Sequence, residues 1–200
     1  LLRNALALLK EAGWTRKGEW LANEKGERLT IELLVNDPVF VRVESPFVDN
    51  MRAIGIAASI RLVDSAQYQQ RQMDFDFDMI SMAASFTASP TREELEHYFS
   101  SIAATANGSR NLPGTSSPAI DALVDLVGSA RSREELTTVM RVLDRVLRAR
   151  QDWIPNWYLA NHRAAYWDMF GYKERKPDYG FPVEALWWVD EGKAKAIGKG

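Results

Sequence analysis

Two hundred residues, 46% of them hydrophobic and 26% charged, are enough for one domain with a substantial core and exclude a disordered chain. A net charge of -2 argues against a nucleic-acid partner, which selects a basic excess. The absence of cysteine removes disulfides, thiolate metal sites and cysteine nucleophiles, and no apolar run approaches the roughly 20 residues of a membrane span.

In chain order, Leu2, Ala5, Leu6 and Leu9 recur at helical spacing, and Gly13 stands where a helix end wants a left-handed residue. A hairpin is predicted next, with strands at 20–22 and 29–35 around the polar turn 23–26. Leu29, Ile31, Leu33 and Val35 alternate with Thr30 and Glu32, the period of a half-buried strand. Asp37-Pro38 is a cap followed by proline at the first helical position. Val39, Phe40, Val43, Phe47, Met51 and Ile54 then mark one apolar face, with a kink or break expected at Pro46 and an end at Gly55. Residues 56–63 read as a β-branched strand, Ser65 as the cap of a short helix to about Met73, and 75–82 as a further strand.

Thr91 and Glu94 have capping-box spacing for a helix through Phe99. Ser117-Pro118 starts another, burying Ile120, Leu123, Val124 and Val127. Ser132 and Glu135 form a second capping box, before a helix that buries Leu136, Val139, Met140, Leu143, Val146 and Leu147. Its arginines alternate with acids and read as a solvated face. Past Pro155, residues 157–167 read as an aromatic strand. Five of the seven tryptophans follow Arg150, a density that suits a core or a lobe interface. Strands alternating with helices predict an α/β fold, a mixed sheet flanked by helices.

No catalytic motif emerges. Asp74, Asp76 and Asp78 are spaced for calcium, but Met79 and Ser85 occupy the positions where an EF-hand loop needs Gly and Glu; a strand with one polar edge is expected. His97 and His162 form no HExxH pattern and read as structural. A nucleophile elbow, a Walker A loop and a dinucleotide fingerprint are all missing. No catalytic residue, metal site or cofactor is therefore assigned. Two polar loops remain, 83–90 and 106–117, of the kind that α/β sheets place beside ligands.

The order of segments carries a resemblance. YFSSIAATANGSRNLPGTSSPAIDALVD from Tyr98, the helix ARSREELTTVMRVLDRVLRA, DWIPNWYLANHRAAYWDMFG, and upstream LLKEAGW and IGIAASIRLVDSAQYQQRQMDFDFDM resemble the YejA-type branch of the extracellular solute-binding proteins of family 5, the peptide/nickel and oligopeptide binders. The resemblance covers nearly the whole chain. It implies the C-terminal lobe of a type II periplasmic-binding-protein fold, which closes with a second lobe on a peptide or peptide-like ligand and hands it to an ABC permease in the inner membrane. Since Leu1 is not a methionine and lies inside a helical pattern, residues 1–200 are expected to be a single lobe, with the N-terminal lobe and any export signal upstream. A periplasmic, monomeric, non-enzymatic binding protein is expected. In the cleft, Ser85, Phe86, Thr87 and Ser89 would offer hydroxyls and a stacking surface, and Asn107, Arg110 and Asn111 amides and a cation, with Ser109 beside them. Typical oligopeptide binders of the family carry an Asp after the strand matching 75–82, where it holds the ligand's amine. Between Met79 and Pro90 this chain has no acid, so that role is not carried over. Alternatives are a non-peptide cargo, such as an opine or a sugar-phosphate conjugate, and a ligand-sensing domain fused to a regulator.

Overall fold

The computed structural model describes residues 1–177 and 180–199, which gather into two units: Leu1–Ala84 with Glu96–Asp121, and Ser85–Leu95 with Ala122–Gly200. In the first unit α1 (Leu2–Glu11) ends as expected, with Gly13 at φ +89°. The hairpin lies one step earlier than its turn signal suggests: β1 (Thr15–Lys17) pairs antiparallel with β2 (Trp20–Ala22). The 23–26 turn does form, closed by the Gly26 N–H on the Asn23 carbonyl and the Glu27 N–H on the Asn23 side chain. It yields only one bridge, Ala22 to Arg28, because β3 (Thr30–Val35) gives both its edges to parallel partners.

After β3 the chain runs through α2 (Pro38–Ala53) to β4 (Ala57–Leu62), and through α3 (Ser65–Met73) to β5 (Met79–Ile80). The strand order is β4-β3-β5, with Thr30 opposite Ala57 and Leu33 opposite Met79. The α/β class and the helix-flanked sheet are as expected; the three-stranded sheet is parallel throughout, and among the described residues antiparallel ladders occur in two separate ribbons. Holding the central position buries Leu33, Leu34 and Val35 in succession, where period-two alternation predicts one buried face.

Asp37 caps α2 by accepting the Val39 N–H at 2.9 Å, and Pro46 is accommodated inside one continuous helix. The buried stripe meets the predicted one only at its end, where Met51 is buried and Ile54 packs against the core. Val48 and Met51 are buried with Glu44, and Val41 is half-buried, while Val39, Phe40, Val43 and Phe47 stand exposed. Gly55, at φ +94°, turns the chain back so closely that a Cβ there would come within 3.2 Å of the Leu21 side chain. Asp64, not Ser65, caps α3 by accepting the Gln67 N–H.

The predicted strand over 75–82 shrinks to two residues. Phe75 adopts φ +55°, and the three aspartates turn the chain instead of lining a strand edge. Asp74 accepts from Gln70, Asp76 from Arg71, and Asp78 from the Glu32 N–H of β3 at 2.8 Å. Arg71 also reaches Glu32 at 3.1 Å. The core of this unit gathers Leu21, Leu33, Val35, Val48, Met51, Ile56 and Ala58, with Leu9, Trp14 and Met79 packed against them.

α4 (Arg92–Phe99) starts where Thr91 accepts the Glu94 N–H, and α5 (Pro118–Ser129) buries Ile120, Val124 and Val127. α6 (Arg133–Arg150) is capped by Ser132 and buries Leu143, while its arginines face solvent and Arg148 pairs with Asp144 one turn away. It ends on Gln151 in the left-handed region. The expected strand over 157–167 is not formed. Those residues are irregular, with Trp157, Tyr158, Leu159 and Trp167 between 64% and 87% exposed. An antiparallel ribbon of β6 (Phe170–Tyr172) and β7 (Trp187–Val189) follows, with α7 (Val183–Leu186) between them and α8 (Glu191–Ala196) after. Trp187 gathers the rings of Tyr166, Phe170, Tyr172 and Phe181 within 6 Å, and His162 stacks on Phe181. No helix among the described residues is long and apolar enough to cross a membrane.

Candidate functional site

All three strands of the parallel sheet point the same way, so their carboxyl ends share one edge. Chain progression runs from β3 to β4 on one side and then returns across β3 to β5 on the other. That reversal puts a topological switch point at the carboxyl ends of β3 and β5, where open α/β sheets bind ligands.

Ser81, the first residue after β5, is held there from two helices. Its hydroxyl donates to Glu44 Oε1 of α2, and its carbonyl accepts from the Tyr68 hydroxyl of α3 at 2.8 Å. Glu44 is only 7% exposed, and its Oε2 has no hydrogen-bond partner. The Tyr68 phenol is pushed above its ordinary pKa, first by burial and then by the nearby negative charge of Glu44. Sequence reasoning missed all three residues. The available signal was a charged residue inside the buried stripe of an amphipathic helix, one turn before Val48.

Ser85, Phe86, Thr87 and Ser89 are all exposed and belong to the second unit, on an irregular segment. The Arg133 guanidinium of α6 fastens that segment by donating to the Ala88 carbonyl at 2.6 Å and the Ser89 hydroxyl at 2.8 Å. Ser89 is thus engaged within the fold, while Ser85 and Thr87 carry their hydroxyls on the exposed stretch before it. Replacing Arg133 with Ala is expected to speed amide hydrogen exchange across 85–89. Because the contact is exposed, global stability should change by less than about 1 kcal/mol.

Asn107, Arg110 and Asn111 belong to the first unit. Asn107 and Arg110 are exposed, and Asn107 donates to Asp74 at 3.1 Å. Asn111 is placed differently from its expected ligand role. It is 0% exposed; its amide donates to the carbonyls of Ser100 and Thr115, and its oxygen accepts the Thr115 N–H. Ser109 is buried too, its hydroxyl on the Ala103 carbonyl. Both side chains shape the 106–117 loop from inside, leaving Asn107, Arg110 and Ser116 as its exposed polar residues. Among the described residues no group of acids and histidines is arranged to hold a metal ion.

Comparison with known proteins gives three consistent findings. Residues 2–105 match the family model described as bacterial extracellular solute-binding proteins, family 5, middle. The chain is 39% identical over 194 residues to the probable peptide-binding protein YejA of Agrobacterium fabrum, and 38% identical over 188 residues to the protein y4wM of Sinorhizobium fredii. These matches cover 96% and 94% of this chain but only 31% and 28% of the relatives, so it spans about three tenths of their length. Among solved structures, the periplasmic oligopeptide-binding protein of an oligopeptide ABC transporter from Thermotoga maritima superposes with a TM-score of 0.69 at 16% identity, over 78% of this chain and 31% of that one.

Proposed function

This chain belongs to family 5 of the bacterial extracellular solute-binding proteins, and from that premise we propose that it forms one lobe of an ABC importer's solute-binding component, capturing peptides or peptide-like compounds. The observation that carries the reading is the 39% identity to a probable peptide-binding protein over 96% of the chain. A second lobe completes the cleft and the two close by hinge motion; the solute is released unchanged to an inner-membrane permease. The protein works in the periplasm as a monomer and has no catalytic step. The exposed apolar side chains over 157–167 support a lobe that is covered in the whole protein, because large apolar groups gathered on one exposed segment mark an interaction surface.

In this reading Ser85, Phe86 and Thr87 of the second unit are candidate solute contacts, with Ser89 holding their segment, and Asn107 and Arg110 are candidates of the first unit taken by itself, with Asn111 shaping the loop that carries Arg110. The test is calorimetric titration of the protein carrying this chain with short oligopeptides. Phe86→Ala and Arg110→Ala are each expected to weaken binding about tenfold, or 1.4 kcal/mol, with the thermal midpoint held within a few degrees. Binding unaffected by either change, or hydrolysis of the peptide by the protein, would overturn the proposal.

A further inference from the structure

Eight asparagines occur in the chain, and Asn107 alone is followed by glycine; the other seven precede Ala, Glu, Asp, Met, Leu, Trp or His. The pairing matters because an asparagine is chemically labile when the next backbone nitrogen can reach its side-chain amide carbon. That nitrogen must be unhindered, free of a hydrogen bond and able to rotate, and glycine supplies the first and last of these.

The structure meets each condition. Residues 106–109 form a turn closed by the Ser109 N–H on the Ala106 carbonyl at 3.0 Å. Asn107 and Gly108 are its two central residues, and Gly108 has φ +77°, as a type II turn requires. Both are exposed, and a Cβ on Gly108 would meet nothing within 4 Å. The Gly108 N–H has no hydrogen-bond partner among the described residues. The Asn107 side chain is held by an exposed contact, its Nδ2 donating to Asp74 Oδ1 at 3.1 Å just past the end of α3. A turn restrained by one backbone bond and one exposed side-chain bond opens locally at small cost. Asn111, four residues on, is the contrast: it is 0% exposed, holds three backbone groups and precedes the buried Leu112.

We propose that Asn107–Gly108 is a self-modification site, which converts to aspartate and isoaspartate and so detaches the 106–110 turn from α3. The Gly108 nitrogen bonds to Asn107 Cγ as the Cγ–Nδ2 bond breaks, and ammonia leaves with the proton that the Gly108 nitrogen gives up through water. Water then opens the five-membered imide. Opening at Cγ gives aspartate with the main chain unaltered; opening at the main-chain carbonyl of residue 107 routes the chain through the side chain and gives isoaspartate. One water is consumed and one ammonia released, with nothing oxidised or reduced. Either product replaces a donor to Asp74 with a second carboxylate, so an attraction becomes a like-charge repulsion. Isoaspartate also adds a carbon to the path from Ala106 to Ser109, which the closing hydrogen bond does not span unchanged. Arg110 follows directly on this turn, with its N–H on the His97 carbonyl at 3.1 Å. The inference is independent of the solute-binding reading.

The sequence supplies its own control. Cleavage by trypsin releases Glu93–Arg110, whose only side-chain amide is Asn107, and Asn111–Arg131, whose only one is Asn111. The protein carrying this chain is held in warm, mildly alkaline buffer, digested and weighed by mass spectrometry against a zero-time sample. Peptide 93–110 is expected to exchange NH2 for OH at least about tenfold faster than peptide 111–131, and to become a substrate for an isoaspartyl methyltransferase. Asn107→Gln, whose longer side chain must close a six-membered ring, should slow the change by a similar factor. In the converted fraction, amide hydrogen exchange at Ser109 and Arg110 should rise at least about tenfold. Equal rates in the two peptides would overturn the proposal, as would an inert peptide 93–110 in the folded protein under conditions that convert the urea-unfolded chain. Unchanged exchange at Ser109 and Arg110 after conversion would overturn the detachment it asserts.

Discussion

Asn111→Ala is expected to lower the free energy of unfolding by about 3–5 kcal/mol, the largest effect of any single change away from the apolar core. The side chain is 0% exposed and makes three hydrogen bonds to backbone, two given by its amide and one accepted by its oxygen, at 2.8–2.9 Å. Truncation withdraws a partner from the Ser100 carbonyl and from both polar groups of Thr115. Each loss at a buried backbone group costs about 1–3 kcal/mol, and the three share one residue, so their sum is an upper bound. Asn111→Asp should fare no better, because an acceptor would then face two carbonyls. Urea unfolding of the three proteins measures this directly. A change below about 1 kcal/mol would mean that the 106–117 loop is held by something other than this amide.

Gly171→Ala is expected to drive the Trp188 indole off the terminal ribbon. Gly171 lies opposite Trp188 in the β6–β7 pairing, and a Cβ there would fall 2.5 Å from two atoms of the Trp188 ring. Contacts that short are not tolerated, so the indole must leave the glycine or the strands must separate. Overpacking of this kind costs about 1–3 kcal/mol. Trp188 is 52% exposed, so the indole has room to swing outward, which favours the lower end for stability and a distinct change in tryptophan fluorescence. Near-ultraviolet circular dichroism and a thermal melt would separate the two outcomes. Unchanged spectra and melting would show that the ring does not rest on Gly171.

Much of this architecture was legible from the residues, and the failures have identifiable physical causes. Caps were read correctly at Thr91 and Ser132, where the polar side chain accepts the N–H three residues on, while at α3 the cap is Asp64, one residue before the expected Ser65. On α2 the periodicity was real, but the helix carries two apolar stripes. Spacing alone does not say which meets the sheet, so Val39, Phe40, Val43 and Phe47 were assigned to the core in place of Val41, Glu44 and Val48. Alternation misled at Asp74, Asp76 and Asp78, because a turn in which each acid finds a nearby donor has the same spacing as a strand edge. The parallel pairing of β3 was invisible locally, since both partners come from far along the chain. For the candidate site, the exposed positions of Phe86 and Arg110 agree with their reading as loop residues. Asn111 differs because a polar residue in a polar loop looks the same whether it faces water or satisfies its own backbone.

The uncovered rings over 154–167 also govern how this polypeptide behaves in solution. Ile154, Trp157, Tyr158, Leu159 and Trp167 each present more than half of their surface to water, on backbone that has not settled into a ladder. Such a strip is adhesive toward other copies of itself, toward glass and toward chromatography resin. Preparations of residues 1–200 therefore call for low concentration and mild detergent, and quenching of these indoles by acrylamide gives a running gauge of whether they have found cover.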